Sequence, residues 1–334
     1  MSNLKKILMN KISCKHVWFM RQAGRYLPEF RKIRKKNKNF IKLCLNSKLS
    51  SEITLQPIKR FNLDSAIIFS DILMIPYALG QKVEFEKNRG PKLNKFNYKT
   101  FLETGETDFL KKLNPVYKAI KKARGRLKKE KSLICFIGAP WTLIVYMFHL
   151  KNSKDNLNIK RFRYKKGEID KIINKLIKFC CLHIKNQINA GADVVQIFDS
   201  WAGLIPINKA NAYCYLPNAK IVKFCKKNQI PNICFPKGIK KRYERFNKVV
   251  KPDGLSIDFK IDPMWAKKKL KGVVLQGGLD PRKLLSSEDE MIRGATKYIK
   301  TFKDIPYVFN LGHGLLPETD PGKLKKLIKF YRNF

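Results

Sequence analysis

The stretch GADVVQIFDSWAG, residues 191–203, contains the pattern from which the fold of this chain can be predicted. Before it, apolar residues recur at helical spacing between Ile169 and Ile184, and this stripe ends near Gly191, as a helix does at a C-terminal glycine cap. The run DVVQIFD (193–199) that follows is almost continuously apolar. Such runs are typical of strands that lie in a parallel sheet with helices on both faces.

Seven other short apolar runs alternate with segments of helical periodicity. They are HVWFM (16–20), AIIFS (66–70), LICFIG (133–138), NICF (232–235), GLSID (254–258), GVVLQGG (272–278) and YVFNLG (307–312). Eight such strands in 334 residues fit a closed (β/α)8 TIM barrel better than an open doubly wound sheet. We therefore predict an α/β fold in which residues 1–334 form a single barrel domain, with an inserted hairpin or lid near VEFEKNRGPKL (83–93).

The chain is strongly basic, with 71 Lys and Arg against 26 Asp and Glu and a formal net charge of +45. A charge of this size is compatible with binding to nucleic acid or to an anionic membrane. Roughly four in five of the basic residues are lysines, however, and they are spread along the whole chain, as AT-rich codon usage also produces. A dedicated nucleic-acid surface more often has local basic blocks interleaved with aromatics. We expect no specific nucleic-acid or membrane partner, and keep nucleic-acid binding as an alternative.

The cysteines and the apolar stretches bear on the compartment. The eight cysteines form no CxxC pair and several stand inside apolar runs, which favours reduced, buried thiols over disulfides or a metal site. The longest apolar stretch, Leu133 to Phe148, is interrupted by Gly138 and Pro140 and is shorter than the ~20 residues that cross a bilayer. The first residues lack the apolar core of a signal peptide. We expect a soluble, cytoplasmic protein that holds no metal.

Polar or charged residues follow almost every predicted strand: Arg21, Asp71, Asp199 with Ser200, Lys237, Asp258, Gln276 and His313. In a barrel of this type the carboxyl ends of the strands meet at one mouth, where active sites lie. The first of these ends, VWFMRQAGRYLPEFR (17–31), carries two arginines four residues apart in a turn of small residues. A guanidinium group can pair with both oxygens of a carboxylate at once. The sequence thus predicts a ligand with carboxylate arms.

Several motifs together resemble the uroporphyrinogen decarboxylase family: MRQAGRYLPEFR (20–31), TLQPIKRFNLDSAIIFSDIL (54–73), GAPWTLIVYM (138–147), GADVVQIFDSWAG, FPKG (235–238), QGGLDP (276–281) and FNLGHGLLPETDP (309–321). They occur in that family's order from about Val17 to Pro321. The resemblance implies a single (β/α)8 barrel that acts as a homodimer without metal or organic cofactor. It also implies a substrate, uroporphyrinogen III, whose four acetate arms become methyl groups, giving coproporphyrinogen III in haem biosynthesis.

The resemblance assigns roles to the residues after the first two strands. Arg21 and Arg25 bind substrate carboxylates, and the backbone of Gln22, Ala23 and Gly24 approaches the ligand closely. Asp71 accepts hydrogen bonds from pyrrole N–H groups and stabilises the cation that forms when the ring is protonated. We expect the two arginines to lower the pKa of Asp71. The structural alternatives are an N-cap role for Asp71 and a surface ion pair between Arg25 and Glu29.

Four residues complete the implied site. The phenol of Tyr146 and the hydroxyl of Ser200 bind carboxylate arms, and Phe198 packs against the tetrapyrrole. Their alternatives are a core aromatic for Tyr146 and a capping serine for Ser200. His313, between two glycines, binds a propionate as a neutral donor or a cation, and a pKa near neutrality leaves proton transfer open to it.

The sequence leaves three questions open. Arg21 is a poor acid, so the ring proton comes more easily from a substrate carboxylic acid or a water that Arg21 orients. Gly278 and Phe259 depart from the Asn and Trp usual in the family, which puts the shape of the pocket in question. A noncatalytic relative and a methyltransferase of the same barrel type, which needs zinc-ligating His and Cys residues, remain alternatives.

Overall fold

The computed structural model describes residues 1–86, 90–152 and 156–334. Its α-helices are α1 Asn3–Asn10, α2 Pro28–Lys36, α3 Phe40–Cys44, α4 Ser47–Phe61, α5 Met74–Ala78, α6 Tyr98–Glu103, α7 Glu106–Arg124, α8 Pro140–Met147, α9 Lys166–Asn189, α10 Leu216–Lys227, α11 Tyr243–Val250, α12 Pro263–Lys269, α13 Glu288–Phe302 and α14 Pro321–Asn333. Its strands are β1 Ser65–Ile67, β2 Val83–Glu86, β3 Gly90–Leu93, β4 Ser132–Gly138, β5 Val194–Asp199, β6 Asn232–Pro236, β7 Gly254–Ile257, β8 Val274–Gly277 and β9 Tyr307–Val308.

The main sheet has seven parallel strands in the order β1-β4-β5-β6-β7-β8-β9. Each coincides with one of the predicted apolar runs, and helices stand between consecutive strands. The α/β class and the parallel arrangement are therefore confirmed. Helix α9 ends one residue before Ala190, and Gly191 follows with a φ of 110°, as the predicted glycine cap requires.

The predicted first strand, HVWFM, is reduced to a single bridge. Val17 pairs in parallel with Phe309 beyond β9, and its carbonyl accepts from the Asp64 N–H just before β1 at 3.1 Å. The chain then turns at once, because the Gln22 N–H donates to the Phe19 carbonyl at 3.0 Å. This turn leaves too few extended residues for a regular ladder, so the prediction of a strand over 16–20 was wrong in length.

Alternate side chains of the strands form one apolar cluster, which includes Ile134, Val194, Ile233, Val274 and Val308 together with Leu4, Ile7 and Leu8 of α1. A polar layer lies within the sheet: Gln276 accepts from the Trp18 indole at 2.9 Å and donates to Gln196 and Ser256 at 3.0 and 2.6 Å. Gln276 is 1% exposed. It is an interior residue and does not extend from a strand end as the sequence suggested.

The region predicted as a hairpin or lid contains the antiparallel pair β2 and β3, in which Val83 lies opposite Leu93. Its residues 87–89 lie outside the described residues. All eight cysteines are free thiols and six are buried, while Cys14 is exposed. Among the described residues, the helices are too short or too polar to span a membrane.

Candidate active site

The turn after Val17 places Arg21 in an unusual backbone conformation. Arg21 has a φ of 60°, which non-glycine residues adopt rarely and at a cost of about 1–2 kcal/mol. Gly24 fits against this turn so closely that a Cβ there would lie 2.9 Å from the Arg21 carbonyl oxygen. Strain of this kind persists only where neighbouring contacts determine the conformation, and it concentrates at functional sites.

Those contacts come from the loop after β9. The Met20 N–H donates to the Asn310 side chain at 3.1 Å, and the Met20 carbonyl accepts from the Leu315 N–H at 2.9 Å. Gly314 packs against the Arg21 side chain, where a Cβ would lie only 2.3 Å from Cδ. The loop that carries His313 therefore holds the turn that carries Arg21.

The other residues of this turn differ in how deeply they are buried. Gln22 is fully buried. Its side-chain amide donates to the Ser65 backbone carbonyl at 3.0 Å, and its backbone carbonyl accepts from the Tyr26 hydroxyl at 2.8 Å. Its backbone N–H is also bonded, so Gln22 supports the turn from within the protein. Ala23 and Gly24 are half-buried.

Arg21 and Arg25 are both exposed by surface area. The surrounding protein still desolvates the Arg21 guanidinium in part, which lowers its pKa, and the charge of Arg25 lowers that pKa further. The alternative pairing of Arg25 with Glu29 is wrong, because Glu29 forms a bidentate ion pair with Arg60 at 2.8 and 2.9 Å. Arg21 keeps its charge despite the lowered pKa, because guanidinium groups stay protonated in proteins. Two cationic groups are thus available in the turn that contains Arg21 and Arg25.

Asp71 stands four residues after β1 and is half-buried. One carboxylate oxygen accepts from the Leu73 N–H at 2.8 Å in a local turn, but α5 begins only at Met74 and Leu73 is at its N-cap, so the alternative of an N-cap role for Asp71 is wrong. Burial raises the pKa of Asp71 to about 6, and Leu73 and Arg21 offset this only in part. Our expectation of a lowered pKa was wrong, because desolvation outweighs the nearby guanidinium.

Tyr146 lies near the end of α8 and is half-buried. Burial raises its pKa, the Trp201 indole and Arg21 lower it, and Asp71 raises it further. The Tyr146 ring meets the Trp201 ring edge-on, with centroids 6.0 Å apart. The phenol is therefore protonated at neutral pH and lies in the electrostatic range of both Arg21 and Asp71.

His313 is half-buried, and its Nδ1 accepts from the Gly314 N–H at 2.7 Å. Burial lowers the pKa of His313 to about 3, with further lowering by Lys237 and Arg21. The imidazole is thus neutral at physiological pH, and because Nδ1 is the acceptor, Nε2 carries the hydrogen. The proton-transfer role that the sequence left open is not supported, and the neutral donor is.

Two further predicted residues lie at the carboxyl end of β5. The half-buried Phe198 meets Phe136 edge-on at 5.7 Å, at the edge of the interior apolar cluster. Ser200 directly follows β5 and is half-buried. The charge of Arg21 thus interacts with Arg25, Asp71, Tyr146 and His313. Ser200 is linked to this group through its neighbour Trp201, whose ring meets that of Tyr146.

The sequence reasoning missed two residues of this region. Asn310 orders the Arg21 turn, and Trp201 contacts Tyr146. Both lie inside motifs that resemble the family, FNLGHG and DSWAG, but the residues that they contact are distant in the sequence. Within the ranges that the structure covers, His, Cys, Asp and Glu side chains form no group of three with the arrangement of a metal site.

The sequence model of the family described as Uroporphyrinogen decarboxylase (URO-D) matches residues 4–334. Among curated relatives, the uroporphyrinogen decarboxylase of Rickettsia felis is 41% identical over 319 residues, which cover 95% of this chain and 92% of that protein. That of Orientia tsutsugamushi is 40% identical over 323 residues, covering 95% and 94%. The enzyme of Mesorhizobium japonicum is 38% identical over 320 residues, covering 95% and 93%.

Among solved structures, a methyltransferase from Methanosarcina mazei superimposes with a TM-score of 0.76 at 15% identity, covering 99% of this chain and 97% of that one. A B12-independent methionine synthase from Shewanella sp. W3-18-1 gives a TM-score of 0.58 at 12% identity, covering 86% and 87%. At such low identity these similarities concern the fold alone.

Proposed function

The chain belongs to the uroporphyrinogen decarboxylase family, and we propose that its strand-end site converts the four acetate arms of uroporphyrinogen III to methyl groups, giving coproporphyrinogen III. It is a decarboxylase of tetrapyrrole biosynthesis. The observation that carries the proposal is the grouping of Arg21, Arg25 and the half-buried Asp71, which interact electrostatically in one region. The reaction needs cations to bind the carboxylate arms of the substrate. It also needs an anion to stabilise the pyrrole ring once that ring is protonated.

Each group has a defined part in the proposed chemistry. Loss of CO2 from an acetate arm requires an electron sink, which the pyrrole provides when a ring carbon is protonated. The methylene group that remains then takes up a proton to become methyl, and the ring carbon gives up the proton it had gained. The Asp71 carboxylate accepts from pyrrole N–H groups and stabilises the positive ring, because a charge fixed in a poorly hydrated site acts strongly on charge that develops there. Arg21 and Arg25 bind carboxylate arms through their planar donor forks.

The uncharged groups supply hydrogen bonds. Tyr146 is a protonated phenol and donates to an arm, as does Nε2 of the neutral His313. Ser200 and the backbone of Ala23 and Gly24 contact the substrate at the same site, and the aromatic face of Phe198 packs against the macrocycle. Because Arg21 and His313 are poor proton sources at neutral pH, we assign the ring proton to a substrate carboxylic acid or a water oriented by Arg21.

We extend the proposal to the assembly of the molecule. Val17 bonds to Phe309 on one side and Asp64 on the other, which supports a closed (β/α)8 barrel with an eighth, very short strand. A main hydrophobic cluster that runs from Val17 to Tyr331 supports one domain. Free cysteines agree with a reducing, cytoplasmic setting, and exposed apolar side chains such as Ile207, 80% accessible, suit a homodimer interface.

The activity is tested by anaerobic incubation of the purified chain with uroporphyrinogen III. We expect the eight-carboxylate substrate to pass through seven-, six- and five-carboxylate species to the four-carboxylate product, as followed by chromatography after oxidation to porphyrins. Binding without turnover would instead indicate a noncatalytic relative. Saturable, sequence-selective binding of an oligonucleotide with a steep salt dependence would favour the nucleic-acid alternative.

The pH dependence of turnover follows from Asp71. Because its pKa is about 6, protonation removes the required negative charge below that pH, and we expect kcat/KM to fall about tenfold per pH unit on the acid side. His313, whose pKa is about 3, adds no step between pH 5 and 8. The measurement is an initial-rate profile from pH 5 to 8 at fixed ionic strength.

Unfolding has to be separated from this effect. The raised pKa of Asp71 means that its contribution to stability grows as pH falls through about 6, since the folded state binds the proton more tightly. Buried His16 and His183, with pKa values of about 3, act in the opposite sense below their ordinary value of 6.5. Circular dichroism at each pH gives the folded fraction. A flat profile from pH 8 to 5 in folded protein would contradict the assignment.

A further inference from the structure

One buried hydroxyl connects the helix that carries Tyr146 to the loop that carries Ser200. Thr142 lies in α8 four residues before Tyr146, so both side chains are on one side of the helix. The Thr142 hydroxyl donates to the Asp199 carboxylate at 2.7 Å and accepts from the Trp201 backbone N–H at 3.2 Å. It thus holds the residues on both sides of Ser200.

The Asp199 end of this connection is itself fixed. Asp199 is 1% exposed, and its second oxygen accepts from the Asn218 amide at 3.1 Å. Asn218 also donates to the Cys214 carbonyl at 2.8 Å, which lies in the π-helical turn Asn211–Tyr215 before α10. A single π turn inside a helix is frequent near functional sites. The exit of β5 is therefore tied to α10 as well as to α8.

The Trp201 end has a second attachment to the same helix. The Trp201 carbonyl accepts from the Trp141 indole at 3.2 Å. The Trp201 ring meets the Tyr146 ring edge-on, with centroids 6.0 Å apart. The Trp141 ring in turn stacks on Tyr213 of the π turn at 5.4 Å. Without the Thr142 hydroxyl, the Trp201 N–H loses its partner and the Asp199 carboxylate loses one of its donors. A buried group left unpaired shifts to find another partner.

We propose that Thr142 is a positioning residue that sets the distance between the Tyr146 phenol and the Ser200 hydroxyl. It acts through Asp199 and Trp201 and does not itself contact the substrate. The inference rests on the proposed function, in which Tyr146 and Ser200 bind separate carboxylate arms of one macrocycle. A displacement of either donor by a fraction of an ångström then misaligns the arm that is about to lose CO2.

The test compares Thr142→Val, which keeps the volume and removes the hydroxyl, with Thr142→Ser, which keeps the hydroxyl. We expect kcat to fall about tenfold or more in Thr142→Val, with a smaller change in KM, and to stay within about twofold of the parent in Thr142→Ser. Ser132→Ala is the matched control. It also removes a buried hydroxyl that accepts a backbone N–H, that of Leu4 at 3.0 Å, but at the opposite end of β4.

A merely structural role gives a different result. In that case Thr142→Val and Ser132→Ala both lower the Tm, and both keep the parent kcat per folded molecule, which would overturn the inference. If Thr142→Val does not fold, Thr142→Cys, a weaker donor of similar size, takes its place and is expected to have an intermediate kcat. Absence of turnover in the parent chain would instead remove the proposed function, so the two failures are distinguishable.

Discussion

Replacement of Asp71 by asparagine is expected to lower kcat by a factor on the order of 10²–10³ while the fold survives. Asparagine retains an oxygen at the position that accepts from the Leu73 N–H, so the local turn is kept. The substitution removes the negative charge that faces the protonated pyrrole. Because burial raises the pKa of Asp71, a neutral amide costs less to bury there, and we expect an unchanged or higher Tm.

Anaerobic turnover of uroporphyrinogen III, with far-UV circular dichroism and thermal unfolding, checks this expectation. Asp320→Asn is the matched control, since Asp320 also accepts a nearby backbone N–H, that of Gly322 at 2.9 Å, but is exposed at the start of α14. It should leave kcat unchanged. Turnover near the parent value in Asp71→Asn would remove Asp71 from the mechanism.

Most of the sheet could be predicted from the sequence because parallel strands are buried on both faces. Runs such as DVVQIFD contrast sharply with the lysine-rich helices around them, and the seven strands occur where the runs are. HVWFM has the same composition but forms only a bridge at Val17. Its length is decided by the tight turn that brings the Gln22 N–H onto the Phe19 carbonyl, and apolar composition carries no information on that bond.

The identity of the site residues was more predictable than their ionisation. The grouping of Arg21 and Asp71 follows from the parallel arrangement of the apolar runs that precede them, but the pKa of Asp71 depends on how much protein surrounds it. The nearby charges alone gave the wrong sign for its shift. The same holds for His313, which is neutral because it is desolvated. Burial depends on contacts between distant segments, as does the bond of Thr142 to Asp199, 57 residues away.

The glycine after His313 gives a way to move Arg21 without replacing it. In Gly314→Ala the new methyl group would lie 2.3, 2.6 and 2.9 Å from Cδ, Cγ and Nε of Arg21, so that side chain has to leave its position. The obstacle is a flexible side chain, and the fold should therefore tolerate the methyl group. We expect kcat/KM to fall by a factor on the order of 10–10², because the guanidinium no longer meets its carboxylate arm. Steady-state kinetics and a thermal melt measure both quantities.

Two variants decide whether the displaced guanidinium is the cause. Arg21→Lys keeps the charge but loses the planar donor fork, and we expect it to lose kcat/KM by a factor on the order of 10². If Gly314→Ala acts through Arg21, the double variant should be little worse than Arg21→Lys alone, because both changes remove one interaction. Gly167→Ala, where a Cβ meets nothing within 4 Å, is the control for adding a methyl group and should leave activity unchanged. Losses that multiply in the double variant would show that Gly314 acts on the site independently of Arg21.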